Sequence, residues 1–275
     1  MKIKKHFLFD NQNNQIRYAP SPNCAGKIVI PEYLVIHFTA GRSMQSSEKW
    51  LTDPTAKASA HLIIGRDGSI VQLVSFNKKA WHAGLSQWNG RAGLNSYSLG
   101  IELDNAGKLK RQGNKWVTWF GEEIPDEDVI VAQHKHEISE SGWHAYTKEQ
   151  LETALMVSAT LVQKYNLLDI VGHDDIAPKR KTDPGPAFPM ENFRAHILGR
   201  SENEDDMSFI TTETLNIRSG PSARYEKLIP NGLPKGTKVV ILEAQESWRF
   251  VDVFDSVGEE MDLQGWVHMR YLKRA

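Results

Sequence analysis

The segment Tyr33–Phe38 restricts the possible folds more than any other part of the sequence, since five of its six residues are apolar or aromatic and the sixth is His37. An apolar run of this length without alternating polar residues is typical of a β-strand that is buried on both faces. Such a strand belongs to a sheet that is covered by helices on both sides. The sequence therefore predicts an α/β fold with a mixed central sheet flanked by helices.

Further strands can be placed around this segment. Ser59–Ile64 and Ser69–Val74 are apolar runs on either side of Gly65-Arg-Asp-Gly68, a sequence typical of a hairpin turn. Tyr97–Leu103 is predicted to be another strand, and Asp169–Val171 is predicted to be a short one.

The most regular helical pattern begins after Thr147. This threonine can cap the helix N-terminus, and Gln150, three residues later, can complete a capping box. Pro189–Leu198 is predicted to be a last helix, with proline suited to its first turn. Residues at helical spacing predict one core-facing side of the first helix: Leu151, Ala154, Leu155, Ser158, Leu161, Val162 and Tyr165.

The C-terminal quarter of the sequence differs in character from the rest. Residues 201–208 are polar and acidic without an apolar period, which predicts a linker between a domain of residues 1–200 and a domain of residues 209–275. The second domain has short β-rich runs separated by glycine and proline, which is typical of a small all-β barrel. In a barrel of this size we expect Trp248 and Trp266 to lie in the core or in a ligand groove.

The composition excludes several classes of function. The formal net charge is −1, so no bulk positive charge attracts nucleic acid or an anionic membrane. Cys24 is the single cysteine, which rules out an intramolecular disulfide and a cysteine-rich zinc finger. No window approaches the roughly 18 apolar residues of a membrane span.

The N-terminus gives little sign of export. Its first residues are basic, as in a secretory signal peptide, but the apolar stretch that follows has only about three residues, short of the usual 7–15. We therefore expect no signal peptide in the chain as given. The compartment and the oligomeric state stay open at this point.

Three residues could form a catalytic zinc site. His37 lies inside the apolar strand, His173 follows a short strand, and Asp183 lies in a segment whose backbone is fixed by prolines and glycine. Two imidazoles and a carboxylate would give the three protein ligands of a catalytic zinc, with a fourth position for water. The three residues follow no metal-binding motif, so an ordinary buried histidine with one hydrogen bond is the alternative for His37.

Four blocks of the sequence carry a resemblance to a known family: Val35-Ile-His-Phe-Thr-Ala-Gly41, Trp81-His-Ala-Gly84, Ser98-Leu-Gly-Ile-Glu-Leu103 and Gly172-His-Asp-Asp-Ile-Ala-Pro-Lys-Arg-Lys-Thr-Asp-Pro-Gly-Pro186. They resemble the signature blocks of the type-2 N-acetylmuramoyl-L-alanine amidases. This AmpD-like group is related to a phage lysozyme and to the peptidoglycan recognition proteins. The blocks occur in family order, and together they extend over most of residues 31–198.

The resemblance implies a function and a site. It implies that His37, His173 and Asp183 bind one Zn²⁺ per chain, and that the substrate is peptidoglycan or a muropeptide. Glu102 matches the general acid/base of the family, and Lys181 matches the position that stabilises a developing oxyanion. The implied reaction is hydrolysis of the amide bond between N-acetylmuramic acid and L-alanine by zinc-activated water. Without the family, Glu102 is a solvated charge at a strand end and Lys181 is one member of a basic run.

Other residues are weaker candidates. His61 and His82 lie in family-like blocks and are predicted to line the substrate groove or to orient metal ligands. A purely structural hydrogen bond is an equally good interpretation for each histidine. Asn105 follows the strand of Glu102 and is predicted to contact substrate.

The stretch Ala106–Tyr146 is long for a connection between a strand and a helix. It is rich in aromatic residues and histidines: Trp116, Trp119, Phe120, His134, His136, Trp143 and His144. These aromatic residues are predicted either to form the wall of a groove that receives glycan strands or to be the core of a small accessory subdomain.

The C-terminal domain carries a second resemblance. Thr214-Leu-Asn-Ile-Arg-Ser-Gly-Pro-Ser222, Leu233-Pro-Lys-Gly-Thr-Lys-Val239, Gly265-Trp-Val-His268 and Tyr271-Leu272 resemble a bacterial SH3 domain. The resemblance implies binding of cell-wall peptides, and therefore targeting to polymeric peptidoglycan. A stabilising or dimerising role is the alternative.

Two rival functions remain from the sequence. One is a non-catalytic peptidoglycan receptor on the same fold, which the complete set of candidate ligands and catalytic residues disfavours. The other is a cytoplasmic recycling amidase that is restricted to soluble anhydro-muropeptides. The missing signal peptide favours recycling, whereas the barrel and the long insertion favour action on the whole wall.

Overall fold

The computed structural model of the chain describes residues 1–28, 30–199, 208–254, 257 and 263–274. The chain divides into two compact units. The N-terminal unit comprises Met1–Ser86 and Gly93–Arg200, and the C-terminal unit comprises Gln87–Ala92 and Ser201–Ala275. The sequence gives no sign that Gln87–Ala92 groups with the C-terminal residues. The predicted linker at residues 201–208 lies outside the described residues except for Ser208.

The secondary structure consists of many short strands and few helices. The α-helices are α1 (Met44–Leu51), α2 (Lys148–Tyr165), α3 (His173–Ile176) and α4 (Met190–Leu198), and 3₁₀ turns occur at Leu94–Ser96, Asp126–Asp128 and Met269–Tyr271. The strands, in chain order, are β1 (Lys2–Lys4), β2 (Phe7–Phe9), β3 (Cys24–Lys27), β4 (Tyr33–Phe38), β5 (Leu62–Ile64), β6 (Ile70–Gln72), β7 (Lys78–Ala80), β8 (Gln87–Trp88), β9 (Arg91–Ala92), β10 (Ser98–Leu103), β11 (Lys108–Gln112), β12 (Lys115–Val117), β13 (Glu123–Ile124), β14 (Val129–Gln133), β15 (Glu140–His144), β16 (Asp169–Gly172), β17 (Ser208–Thr211), β18 (Lys238–Gln245), β19 (Trp248–Val253), β20 (Gln264–His268) and β21 (Leu272–Arg274).

The central sheet has the strand order β16-β4-β10-β5-β6. Its neighbouring strands are parallel except for β6, which pairs antiparallel with β5. The mixed sheet predicted from the sequence is therefore confirmed. β4 has the predicted bounds, and β5 and β6 form the predicted hairpin over fewer residues than the apolar runs suggest.

Helices cover both faces of this sheet. α2 and α4 pack in one core with Leu62 and Ile64, whereas Met44 and Leu51 of α1 pack in another core with Ile63. Successive residues of a strand point to opposite faces, so this alternation distinguishes an α2 face from an α1 face. The prediction of helices on both sides of the sheet is confirmed.

The start of α2 is only partly as predicted. Thr147 caps the helix, since its side-chain oxygen accepts a hydrogen bond from the backbone N–H of Gln150. The second half of the predicted capping box is wrong. The Gln150 side chain is buried and donates instead to the carbonyl oxygens of Ile64 and Asp104, at 2.9 and 3.1 Å. These carbonyls, at or next to strand ends, accept from the buried side-chain NH₂ group and fix the helix to the sheet.

Residues 106–146 form an antiparallel sheet in the order β13-β12-β11-β15-β14. Trp143 is buried in this subdomain, where its indole N–H donates to the carbonyl oxygen of Ala132 at 3.1 Å and its ring stacks on His134. Trp119, in contrast, is exposed. The insertion is therefore a subdomain with a core of its own that also presents an aromatic residue at its surface.

The C-terminal unit contains an antiparallel sheet in the order β20-β19-β18-β17-β21, which confirms the predicted all-β architecture. Trp266 is buried in it. Trp248 lines a surface cavity of about 410 Å³ together with His268 and Tyr271. Among the described residues, no helix combines the length and the apolar character that crossing a membrane requires.

Candidate metal centre and active site

Three side chains from distant parts of the chain converge on the α1 face of the central sheet. His37 Nδ1 lies 2.9 Å from His173 Nδ1 and 2.9 Å from Asp183 Oδ2, and His173 Nδ1 lies 2.9 Å from Asp183 Oδ2. All three residues are buried. The structure thus brings together the three residues that the sequence singled out as metal ligands.

The local structure explains how they meet. β16 pairs with β4 so that Gly172 is the partner of Ile36, which places His173, the first residue of α3, beside His37. His173 follows a short strand, as the sequence indicated, and begins a short helix. A backbone hydrogen bond fixes the position of Asp183: its carbonyl oxygen accepts from the N–H of Asp174 at 2.8 Å.

Hydrogen bonds alone do not account for the triangle of His37, His173 and Asp183. His173 Nε2 lies 3.2 Å from the carbonyl oxygen of Ala83, which can accept an N–H from this nitrogen, and Nδ1 faces the other two side chains. Burial lowers the pKa of His37 to about 4, so the His37 ring is neutral near pH 7. Two imidazole nitrogens and a carboxylate oxygen that face one another at 2.9 Å fit a cation such as Zn²⁺.

His82 determines which nitrogen of His37 faces this triangle. His82 Nε2 lies 3.4 Å from the carbonyl oxygen of Ser98, and His82 Nδ1 lies 3.0 Å from His37 Nε2. Burial holds the pKa of His82 well below its ordinary value, so the ring is neutral. Its Nε2–H then donates to Ser98, its Nδ1 accepts from His37 Nε2–H, and His37 Nδ1 keeps its lone pair for a metal.

A glycine makes room for His82. A Cβ atom on Gly100 would lie 2.6 Å from Cγ and Nδ1 of the His82 ring, closer than real Cβ contacts come. The glycine in the block Ser98-Leu-Gly-Ile-Glu-Leu103 therefore has a packing role beside the metal site.

Glu102 lies next to His37 because of the sheet register. β10 runs parallel to β4 with Glu102 as the direct partner of His37, and neighbouring partners point to the same face. Within the described residues, Glu102 Oε2 is buried without a hydrogen-bond partner. Burial raises the pKa of this carboxyl well above its ordinary value; the charge of Asp183 adds to the shift, and Lys181 opposes it.

Lys181 approaches the site from the loop between α3 and Asp183. Several hydrogen bonds fix this segment. The Lys181 N–H donates to the carbonyl oxygen of Ala177 at 3.1 Å, and just after Asp183 the Tyr146 hydroxyl donates to that of Pro184 at 2.8 Å. The Lys181 ammonium has no hydrogen bond or ion pair within the part of the chain that the structure describes. It is therefore free to contact a substrate.

These groups line one cavity of about 550 Å³. His37, Glu102, His173, Lys181 and Asp183 all contribute to its wall, and so does His82. Three tryptophans also line it: Trp50, Trp81 and Trp119. Trp119 belongs to the aromatic residues of the insertion that the sequence offered as a groove wall, whereas Trp50 and Trp81 were not assigned to the site. Trp81 stands beside His82 in one of the family-like blocks, which is a signal that could have indicated it.

Two predicted substrate-binding residues are placed elsewhere. His61 is fully buried, its Nδ1 accepts from the Gly100 N–H at 3.0 Å, and its Nε2–H donates to the carbonyl oxygen of Lys78 at 2.9 Å. Asn105 is buried, where its amide donates to the carbonyl oxygen of His144 and its oxygen accepts from the Gly107 N–H. Neither residue lines the cavity; the hydrogen bonds of His61 fit the structural alternative, and substrate contact by Asn105 stays a prediction.

The insertion contacts the segment that follows the ligand His173. His134 Nε2 lies 3.0 Å from Asp174 Oδ2, and the Lys135 ammonium pairs with Asp174 and Asp175. Both His134 and Asp174 are buried. Nothing in the spacing of these residues indicated this link, which joins the accessory sheet to α3.

Comparison with known proteins identifies the family of this chain. Residues 27–186 match the N-acetylmuramoyl-L-alanine amidase family, and residues 213–273 match the bacterial SH3 domain. The first match covers more than half of the chain. The chain therefore belongs to the N-acetylmuramoyl-L-alanine amidases, which are hydrolases of an amide bond, and both predicted resemblances are confirmed.

Individual relatives are also named as amidases of muramyl-L-alanine compounds. The 1,6-anhydro-N-acetylmuramyl-L-alanine amidase AmpD of Salmonella typhimurium is 32% identical over 211 residues, which span 69% of this chain and 94% of the relative. The N-acetylmuramoyl-L-alanine amidase AmiD of Escherichia coli is 30% identical over 185 residues, which span 64% of this chain and 56% of the relative. A crystal structure of a selenomethionine derivative of AmpD is 30% identical, with a TM-score of 0.48 over 69% of this chain and 99% of the other.

Proposed function

We propose that this amidase cleaves the bond between N-acetylmuramic acid and L-alanine with one Zn²⁺ held by His37, His173 and Asp183. The observation that carries the proposal is the triangle of three buried ligand atoms beside the unpaired carboxylate oxygen of Glu102 in one cavity. A bound Zn²⁺ would supply Lewis acidity, which polarises the scissile carbonyl and makes water more acidic.

The residues around the ligands have separate roles. Glu102 accepts a proton from the attacking water and returns it to the leaving nitrogen of L-alanine, for which its raised pKa and free Oε2 suit it. Lys181 places its ammonium where the carbonyl oxygen becomes negative. His82 keeps His37 in the tautomer and orientation that a metal needs.

We further propose that the substrate is polymeric peptidoglycan, with residues 1–200 as the catalytic domain and residues 209–275 as the wall-binding domain. The match to the bacterial SH3 domain supports this assignment, as does the cavity lined by Trp248, His268 and Tyr271. Restriction to soluble anhydro-muropeptides is the second candidate, favoured by the names of the AmpD relatives.

Mass spectrometry of reaction products tests both candidates. Intact peptidoglycan sacculi and purified anhydro-muropeptide are each incubated with the protein, with and without a zinc chelator. We expect stem peptides that begin at L-alanine to be released from sacculi and suppressed by the chelator. Cleavage of the anhydro-muropeptide alone would contradict the polymeric substrate, and cleavage that persists after zinc removal would contradict the metal mechanism.

A further inference from the structure

Two exposed tryptophans stand in the wall of the catalytic cavity. Trp50 of α1 is 58% exposed and Trp119 of the insertion is 66% exposed, although both line the same cavity as His37 and Glu102. Indole rings this exposed lose the apolar burial that usually stabilises them. Their position calls for a binding partner that covers them.

Trp119 is held in place although its ring is exposed. Its indole N–H donates to the carbonyl oxygen of Ala40 at 2.7 Å, and its ring meets the edge of Phe120 at 5.4 Å between centroids. Arg42 lies over Phe120 at 5.0 Å and pairs with Glu122 at 3.0 Å. The ring is therefore preorganised, and because its single donor is already used, it offers an aromatic surface and no polar group.

Trp50 presents its ring from a helix. Ser46, Ser47, Trp50 and Leu51 line the cavity, and their spacing of one turn puts them on one side of α1. The Ser47 hydroxyl oxygen is buried without a hydrogen-bond partner within the described residues. This side of the cavity thus presents an exposed aromatic ring above a buried hydroxyl.

The chemistry of the lining indicates what occupies this region. The ionisable side chains in the wall all belong to the catalytic group: His37, His82, Glu102, His173, Lys181 and Asp183. The remaining wall is neutral, with indoles, hydroxyls and small residues. A stem peptide carries carboxylates that call for cationic partners, whereas a pyranose ring of an N-acetylated glycan is neutral, has an apolar C–H face and carries hydroxyls.

We propose that Trp119 and Trp50 form a carbohydrate-stacking subsite that holds a sugar of the glycan strand next to the muramic acid residue that is cleaved. This proposal rests on the proposed function, since it assigns a second part of the same substrate. It makes the insertion a determinant of preference for extended glycan over a single sugar.

The test measures glycan binding without turnover. A peptide-free tetramer of N-acetylglucosamine is titrated into the zinc-loaded full-length protein by calorimetry. We expect Trp119→Ala to weaken binding about tenfold, in line with loss of one aromatic stacking contact, and Trp119→Phe to weaken it less. Ile138→Ala, which truncates a fully exposed apolar side chain of the same insertion outside the cavity, is the matched control and should leave binding unchanged.

A kinetic comparison completes the test. N-acetylmuramyl dipeptide and a tetrasaccharide that carries the same dipeptide are used as substrates. Trp119→Ala should lower kcat/KM about tenfold for the tetrasaccharide, through KM, and less than twofold for the single sugar. Equal losses on both substrates, or tetramer binding that is unchanged in Trp119→Ala, would overturn the subsite. Absence of amidase activity in the unsubstituted protein would instead refute the proposed function, because the calorimetric result does not depend on cleavage.

Discussion

The floor and the mouth of the catalytic cavity are built from opposite kinds of residue. The floor, formed by His37, Glu102, His173 and Asp183, is ionisable and is carried by the central sheet and the segment after it. His37, His173 and Asp183 are buried, and Glu102 is partly buried. The mouth, formed by Trp50 and Trp119, is exposed, neutral and carried by a helix and the insertion.

This difference separates chemistry from recognition. Reacting groups need fixed geometry and shifted pKa values, which burial in a sheet provides. Binding surfaces for a long polymer need access from solvent, which additions at the edge of the fold provide. Substitutions in the floor should therefore act on metal content and kcat, whereas substitutions in the mouth should act on KM for extended substrates.

The largest losses of turnover are expected in the floor, where substitution of a metal ligand and substitution of the proton-transfer residue should differ in metal content. His37→Ala should lose both the metal and all measurable turnover, because only two ligands remain. Glu102→Gln should keep one metal per chain and lose about 10²–10⁴-fold in kcat, since the amide accepts no proton. Metal analysis of both variants, together with product release from muropeptide, checks this. Turnover near that of the unsubstituted protein in Glu102→Gln would show that another group transfers the proton.

A smaller loss is expected from Lys181, the cation that lines the same cavity as the floor. Lys181→Met keeps most of the side-chain volume and removes the charge, so kcat should fall about 10²–10³-fold with metal content unchanged. Lys179→Met is the matched control, because Lys179 belongs to the same basic run but does not line the cavity. A similar fall in both variants would point to a loop effect rather than to the ammonium of Lys181.

Substitution of His82, which contacts the ligand His37, should change zinc affinity more than substrate binding. His82→Ala removes the partner of His37 Nε2 and should weaken zinc affinity about 10–100-fold, measured by competition with a chelating dye. Gly100→Ala should shift affinity in the same direction, because its Cβ displaces the His82 ring. Unchanged affinity in both His82→Ala and Gly100→Ala would assign His82 a purely structural role.

A separate effect concerns stability against pH and comes from a buried histidine outside the cavity. Burial lowers the pKa of His61 from 6.5 to about 4, so the unfolded chain binds a proton between these values and the folded chain does not. Stability from this residue is complete above pH 6.5 and is lost as the pH falls towards 4, by up to ~3 kcal/mol.

Chemical unfolding of the zinc-free protein at pH 7 and pH 4.5 measures this loss. His61→Gln should reduce the pH dependence, whereas Trp119→Ala should leave it unchanged, because the mouth contains no group that titrates in this range. An identical slope in His61→Gln and in the unsubstituted protein would contradict the assignment.

Local patterns in the sequence determined much of the fold. The apolar run Tyr33–Phe38 predicted a buried strand with the observed bounds, and Thr147 predicted the start of α2. The same patterns located His37, His173 and Asp183 as candidate ligands, although they lie up to 146 positions apart. This was possible because buried strands, helix caps and signature blocks are each encoded by a few neighbouring residues.

Only the tertiary structure determined which of these residues contact one another. The relay from Ser98 through His82 to His37, the enclosure of His61 by backbone groups, and the position of Trp119 at the cavity all depend on contacts between distant segments. Gln150 illustrates the reason. The local pattern predicted that its side chain caps the helix, whereas in the structure it donates to carbonyl oxygens of residues more than 40 positions away. The partner of a side chain depends on which surfaces pack together in the folded protein, and the spacing of residues along the chain does not determine this.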